Sequence, residues 1–227
     1  MKQFKKITAL CFTVLLIATY SCKVHAQGKP LNGSGKIITS TYAYHNFDKL
    51  LFSDMSGEIE VVVGKPFSIT MHADDNFNNQ IGVVEKEGVL CFVFEGNKNN
   101  RLYIENTNIK ILITMPELSV VEQYGNSNCN ITGIVGRYLR LQNRGNGNIS
   151  AIGSVDELDI IKRDNGNIEA GMLEAKNVNV EASGNGNVYI NTNNQFEAHA
   201  SGNGFVKNKG IGRSSANSSA TGNSKIQ

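Results

Sequence analysis

Tyr124-Gly125-Asn126-Ser127-Asn128 and Arg144-Gly145-Asn146-Gly147-Asn148 open the series that decides the fold. Near copies of Gly-Asn-Gly-Asn recur toward the C-terminus. They start at Gly125, Gly145, Asp164, Gly184, Gly202 and Gly222, in steps of 20, 19, 20, 18 and 20 residues. Self-similarity at such a period signals a solenoid, in which each unit packs only on its neighbours.

Aligning the copies gives columns. The second position is always Asn: Asn126, Asn146, Asn165, Asn185, Asn203 and Asn223. The third is small: Ser127, Gly147, Gly166, Gly186, Gly204 and Ser224. Four places after the start comes an apolar column: Cys129, Ile149, Ile168, Val188, Val206 and Ile226. Six places before the next copy stand Leu139, Leu158, Val178, Phe196 and Ala216; four before stand Leu141, Ile160, Val180, Ala198 and Ser218. Each repeat therefore reads as two short strands with alternating apolar residues, joined to the next repeat by a Gly/Asn turn. Gly and Asn suit that turn because both tolerate positive φ. The Asn amides can also stack with their equivalents above and below. At about 4.8 Å per coil, six coils would build a continuous core roughly 25–30 Å long. Asp164 replaces the first turn Gly in one copy, which is expected to bend that coil.

Working outward, residues 1–26 carry the pattern of a secretory signal peptide. Lys2, Lys5 and Lys6 precede an apolar run, and Val24-His25-Ala26 offers a small-x-small cleavage site. Cleavage before Gln27 is the favoured reading; a lipid anchor at Cys22 is the other. Loss of 1–26 removes four lysines and leaves 18 basic against 20 acidic residues, a charge of −2. No nucleic-acid partner is expected of such a chain. Residues 27–44, rich in Gly, Asn and Ser, read as a flexible leader. Residues 45–123 show short alternating runs between turn residues, and no window carries helical spacing. They read as the N-terminal β part of the domain whose coils occupy 124–227. Only Cys91 and Cys129 lie beyond the signal region, too few to define a disulfide framework, and whether they pair is left open.

The ordered series Phe47-Asp48-Lys49-Leu50, Gly57-Glu58-Ile59-Glu60-Val61, Gly64-Lys65-Pro66-Phe67 and Ile111-Leu112-Ile113-Thr114-Met115-Pro116, followed by the Gly-Asn turns, resembles the head GIN domain family of autotransporter-type adhesins. The resemblance covers about residues 45–210. It implies a right-handed parallel β-helix shaped like a pectin lyase but without the catalytic residues. It also implies a role in cell-surface adhesion.

Enzymes on such folds need carboxylates converging on one face. The densest acidic cluster is Asp156, Glu157 and Asp159, which reads as a solvated rim; a polysaccharide lyase-like site is the alternative. Arg137, Arg140, Arg144 and Arg163 form a basic counterpart, expected to make ion pairs between repeats and to offer a patch for an acidic glycan. His72, Asp74 and Asp75 have metal-binding atoms but no second cluster at ligand spacing, so no metal is expected. The sequence reading is thus an all-β, exported, non-enzymatic binding protein without a cofactor. Its partner is a cell-surface glycan or protein, with self-association and a purely structural envelope role left open.

Overall fold

The computed structural model describes residues 31–100 and 104–227. The signal-peptide and Cys22 readings fall outside the described residues. The chain is all-β. In order it forms β1 Leu31–Asn32, β2 Ile37–Tyr42, β3 Lys49–Met55, β4 Glu58–Val63 and β5 Ser68–Asp74. A four-residue helix, α1 Asp75–Asn78, leads to β6 Ile81–Lys86 and β7 Val89–Phe94. A 3-10 segment, Glu95–Asn100, precedes β8 Ile104–Glu105, β9 Lys110–Met115 and β10 Val120–Gly125. Three long strands follow: β11 Asn128–Gly145, β12 Ile149–Asp164 and β13 Ile168–Gly184. The chain ends in β14 Val188–Asn191, β15 Glu197–Gly202, β16 Phe205–Asn208, β17 Ser219–Gly222 and β18 Lys225–Ile226.

β1 and β8 make a small parallel pair, and the other strands join one 16-stranded sheet. Within the repeats every pairing is parallel and follows the column alignment. Cys129 lies opposite Ile149, Ile149 opposite Ile168, Ile168 opposite Val188, Val188 opposite Val206 and Val206 opposite Ile226. On the other run Leu141, Ile160, Val180 and Ala198 succeed one another in the same way. The columns continue below the first turn. Ile59 sits between Ile111 and Cys129, and Leu50 between Leu90 and Val121. The residues of β3 and β4 are thus held between strands that come later in the chain. No local sequence signal announces that order.

All these column residues but Ile226, which is partly buried against them, are buried, and with Phe52, Phe77, Phe92 and Phe94 they form one core. A buried Leu, Ile or Phe contributes about 1.5–3 kcal/mol, Ala far less. The taper from Leu141 through Val180 to Ala198 and half-buried Ser218 therefore makes the last repeats the least stable part.

Three expectations need correction. Residues 31–44 are no mere leader: β2 pairs antiparallel with β5 from Ile37 opposite Asp74 to Tyr42 opposite Ile69, because Thr39, Thr41 and Tyr42 suit a strand. The sheet is mixed, since β2–β5, β5–β9 and β6–β7 are antiparallel additions at its ends. The first three repeats are not split into two short strands. Pairing runs through the bend with a register shift, and Gly133 (φ 76°) and Gly153 (φ 146°) absorb the turn. Asp164 takes φ 66° and stays opposite Gly145, since Asp tolerates the left-handed region better than most residues.

Candidate functional site

The turns are built by a division of labour. Positive φ falls on the first position alone (135° at Gly125, 87° at Gly184, 96° at Gly202), not on the Asn that follows. The third position is Gly for another reason. A Cβ on Gly147 would lie 1.8 Å from the Ser127 carbonyl oxygen, and one on Gly186 1.9 Å from that of Gly166. The second-position Asn residues instead form an exposed ladder. Asn146 Nδ2 donates to Asn126 Oδ1 (3.0 Å), Asn165 to Asn146 (2.9 Å), Asn185 to Asn165 (2.7 Å), Asn203 to Asn185 (2.7 Å) and Asn223 to Asn203 (2.9 Å). A second ladder joins Asn128, Asn148 and Asn167 two residues further on, through both side-chain and backbone donors. The turn residues Asn126, Asn146, Gly147, Asn165, Gly166, Asn185, Gly186, Asn203 and Gly204 thus hold neighbouring repeats together.

Behind the turns lies a polar column absent from the sequence reading. Gln123, Asn143 and Lys162 are all buried, two places before the first turn residue. Gln123 Nε2 donates to the Ser127 carbonyl (2.7 Å) and Asn143 Nδ2 to that of Gly147 (2.7 Å). Lys162, only 1% exposed, donates through Nζ to the carbonyls of Asp164 (2.9 Å) and Ser183 (2.8 Å). Strand alternation could have found this column, since it shares parity with the inward residues at four and six places before the turn. Burial pushes the Lys162 amine down from 10.5 to about 8, with the Asp164 charge pulling the other way. Between those values the unfolded chain holds a proton that the folded chain has released, so stability rises with pH across that window. Lys162→Met is expected to abolish that rise. Melting curves of both proteins between pH 8 and 10 test it, and a rise of equal size in the variant would contradict it.

The outward positions of the same run are regular and, apart from Ile161, polar, with Gln142 covered by its neighbours and only 2% exposed. One row sets Arg140 opposite Asp159, then Asn179 and Glu197. The next sets Glu122 opposite Gln142, then Ile161, Glu181 and His199. The third sets Tyr124 opposite Arg144 and Arg144 opposite Arg163. These side chains interlock. Arg140 Nη2 donates to Gln142 Oε1 (3.0 Å), Gln142 Nε2 to the Tyr124 hydroxyl (2.6 Å), and that hydroxyl to Glu122 Oε2 (2.9 Å). The Arg144 guanidinium stands 5.7 Å from the Tyr124 ring centroid, a cation–π contact. Burial, and then the hydrogen bond to Glu122, hold the Tyr124 hydroxyl above its usual pKa, so it stays a donor.

The structure brings Arg140, Arg144 and Arg163 onto one face. Arg137 falls outside their alternation and is exposed beside a gap in the register. The expected arginine ion pairs between repeats are not formed. Among the described residues the ion pairs use Lys36, Lys49, Lys86, Lys110, Lys176 and His199, and no arginine. The reason is register: Arg144 faces another arginine, and Asp159, opposite Arg140, accepts the Tyr138 hydroxyl (2.9 Å).

The acidic cluster is divided. Asp156 pairs with Lys176 (2.6 Å) in a shallow groove shared with Ser154, Glu174 and Asn191. Glu157 and Asp159 line a different one with Asn177, Glu181 and His199. His72 Nδ1 is bonded to Thr39 Oγ1 (2.9 Å), and buried Asp74 accepts the amides of Gly35 and Asn108 (both 2.8 Å). Asp75 accepts from Ser34 Oγ (2.6 Å) and pairs with Lys36 (3.3 Å). Among the described residues no three His, Cys, Asp or Glu side chains are grouped to hold a metal. Cys91 and Cys129 are both free. Burial pushes the Cys129 thiol up to about 12; partial burial, and then the Glu95 charge, raise Cys91 as well, but Cys91 is only half-buried. Iodoacetamide at mildly alkaline pH is therefore expected to modify Cys91 in the native protein and to reach Cys129 only in denaturant. Mass spectrometry reads the outcome, and native labelling of Cys129 would refute the packing.

A family model described as "Putative auto-transporter adhesin, head GIN domain" matches residues 46–212. The chain belongs to the head GIN domain family. Among solved structures, this head GIN domain is similar to a protein described as a putative adhesin from Bacteroides fragilis. The two share 24% identity with a TM-score of 0.66, covering 86% of this chain and 98% of that one. A second, from Parabacteroides merdae, shares 17% identity with a TM-score of 0.51, covering 86% and 97%. At these identities the likeness concerns the fold. No curated protein matches the chain.

Proposed function

We propose that this head GIN domain is exported and acts as a non-enzymatic binding protein at the cell surface. Its repeats wind as a right-handed parallel β-helix and present flat faces to a glycan or protein partner. The observation that carries the reading is the regular outward face, on which polar side chains recur from strand to strand; among the described residues the carboxylates that do gather, Glu157, Asp159, Glu181 and Glu197, line an open groove on that face and not a cleft. The parallel register between turns, the family's description as adhesins and the hand implied by the family support the coiling. Export rests on the pattern of residues 1–26.

The test is binding of fluorescently labelled protein to bacterial and host cells, with and without prior protease or glycosidase treatment of those cells. Saturable binding lost on one treatment is expected and names the partner's class. Absence of saturable binding to any cell would sink the reading. Mass spectrometry of the mature N-terminus separates release at Gln27 from a lipid anchor at Cys22, and a retained Met1 would remove export by either route.

A further inference from the structure

The arginine face holds an arrangement that folding alone does not favour. Arg144 and Arg163 are direct neighbours on adjacent parallel strands, with their backbones about 4.8 Å apart, and both belong to the outward set. Like charges in that position repel each other. The usual remedy is a carboxylate in contact, yet none lies within ion-pair distance of either guanidinium among the described residues. Carboxylates are present in the two shallow concavities beside them. Asp54 and Asp164 share one of about 470 Å³ with Arg144, and Glu181 shares one of about 330 Å³ with Arg163. They stand off, so the arginine forks are left with donors to offer.

The surroundings indicate what those donors meet. Tyr124 supplies a half-buried aromatic surface beside Arg144, fixed by its bonds to Glu122 and Gln142. Arg163 shares its concavity with Ser183 and Ser201, and the hydroxyls continue from there, with Ser183 opposite Ser201 and Ser201 opposite Thr221. The edge thus runs aromatic, two guanidinium groups, three hydroxyls, with one side chain per strand. A linear polymer laid along it meets a new side chain at each strand spacing.

We propose that the Tyr124–Arg144–Arg163 edge is a binding track for a linear polysaccharide bearing carboxylate or sulfate groups. Guanidinium forks match both anions in a bidentate way. The ring packs against a sugar face, and the hydroxyl row meets sugar hydroxyls. Charge density decides against nucleic acid. A duplex carries one negative charge per ~1.7 Å of its axis, and Asp54, Asp164 and Glu181 would repel so dense an anion. A sparsely charged glycan can place its acid groups at the arginines and its neutral parts beside the acids. The inference rests on the reading of the protein as a surface binder, and supplies the chemistry of the partner.

Affinity electrophoresis of the purified protein in gels containing hyaluronate (a carboxylate on alternate sugars), κ-carrageenan (a sulfate on alternate sugars), polyuridylate or neutral dextran tests it, with the cell-binding assay run in parallel. Retardation by one or both acidic polysaccharides and not by dextran is expected; which polysaccharide acts tells carboxylate from sulfate. Arg144→Gln/Arg163→Gln should weaken that binding at least tenfold, while Arg213→Gln, an exposed change elsewhere, leaves it intact. The double variant should melt close to wild type, since removal of the repulsion offsets loss of the Arg144 contact with the Tyr124 ring. Should it fail to fold, Arg163→Gln alone, which disturbs no hydrogen bond or ion pair, reads the same loss. Equal binding by wild type and variant overturns the track. So does arginine-dependent retention by polyuridylate without retention by a polysaccharide. Cell binding without binding to either acidic polysaccharide overturns the track and leaves the surface-binder reading standing; loss of both removes both.

Discussion

Gly166→Val is expected to lower the melting temperature by roughly 6–12 °C. A Cβ at this position would lie 2.0 Å from the Gly147 carbonyl oxygen, 2.6 Å from Asn143 Nδ2 and 3.0 Å from the Gly145 carbonyl oxygen. Two of these are backbone atoms of the repeat below, so no side chain can swing aside to make room. The repeats must separate locally, and separation stretches the ladder bond from Asn165 to Asn146 (2.9 Å) and displaces Asn143 from the Gly147 carbonyl. Overpacking of this kind costs about 1–3 kcal/mol. Its upper end is appropriate where backbone meets backbone, and for a chain of this size each kcal/mol shifts the midpoint by about 2–4 °C. Gly136→Val is the control, because a Cβ there meets nothing within 4 Å. Differential scanning calorimetry reads both variants. A Gly166→Val protein melting within a degree or two of the control would show that the third turn position is not a contact between repeats.

The same position shows which physics the sequence displays and which it hides. The period was legible because each repeat repeats its own packing: a column such as Cys129, Ile149, Ile168 and Val188 is a one-dimensional record of which residues stack. The turn was legible as a turn, but its parts were not. Positive φ and close approach both select Gly, and only coordinates show that Gly145 answers to both (φ 155°, with a Cβ 2.1 Å from the Gly125 carbonyl oxygen) while Gly147 needs space and not handedness. The buried column of Gln123, Asn143 and Lys162 shares the parity of the inward residues, but polar residues read as exposed by default and mask that signal. What keeps them inside is the set of turn carbonyls that each reaches, which no pattern of apolar residues reveals.

Non-local partners were the least legible. That β4 lies between β9 and β11, or that β2 closes onto β5, depends on which edges are free once the core has formed. The arginines show the same limit at the candidate site. Their spacing in sequence placed Arg140, Arg144 and Arg163 near one another. Register alone decided that Arg144 would face Arg163 and not an acid.

Deleting residues 144–162 is expected to leave a protein that still melts in one cooperative transition. Deleting residues 149–158 should leave one that does not. The first cut removes one period at the step where the register advances by 19 residues, from Arg144 to Arg163. Asn143 then joins Arg163, Gly125 meets Asp164 and Cys129 meets Ile168. Asn165 lies where Asn146 lay, within reach of Asn126, and each apolar column closes with one member fewer. In a stack whose stability is close to a sum over repeats and their interfaces, this loses one unit and no rule of construction. The second cut removes fewer residues and does more harm. Asn148 would run straight into Asp159, placing a carboxylate at the inward position of Ile149 and turning Ile160 outward. Inward positions are odd-numbered before the bend (Ile149, Ala151) and even-numbered after it (Leu158, Ile160), so this even-length cut across the bend reverses every side chain up to the next turn. A buried, unpaired carboxylate costs far more than a missing methyl group. Circular dichroism melts of the two deletants decide the matter. Indistinguishable transitions would mean that the repeats do not hold the chain in the register described.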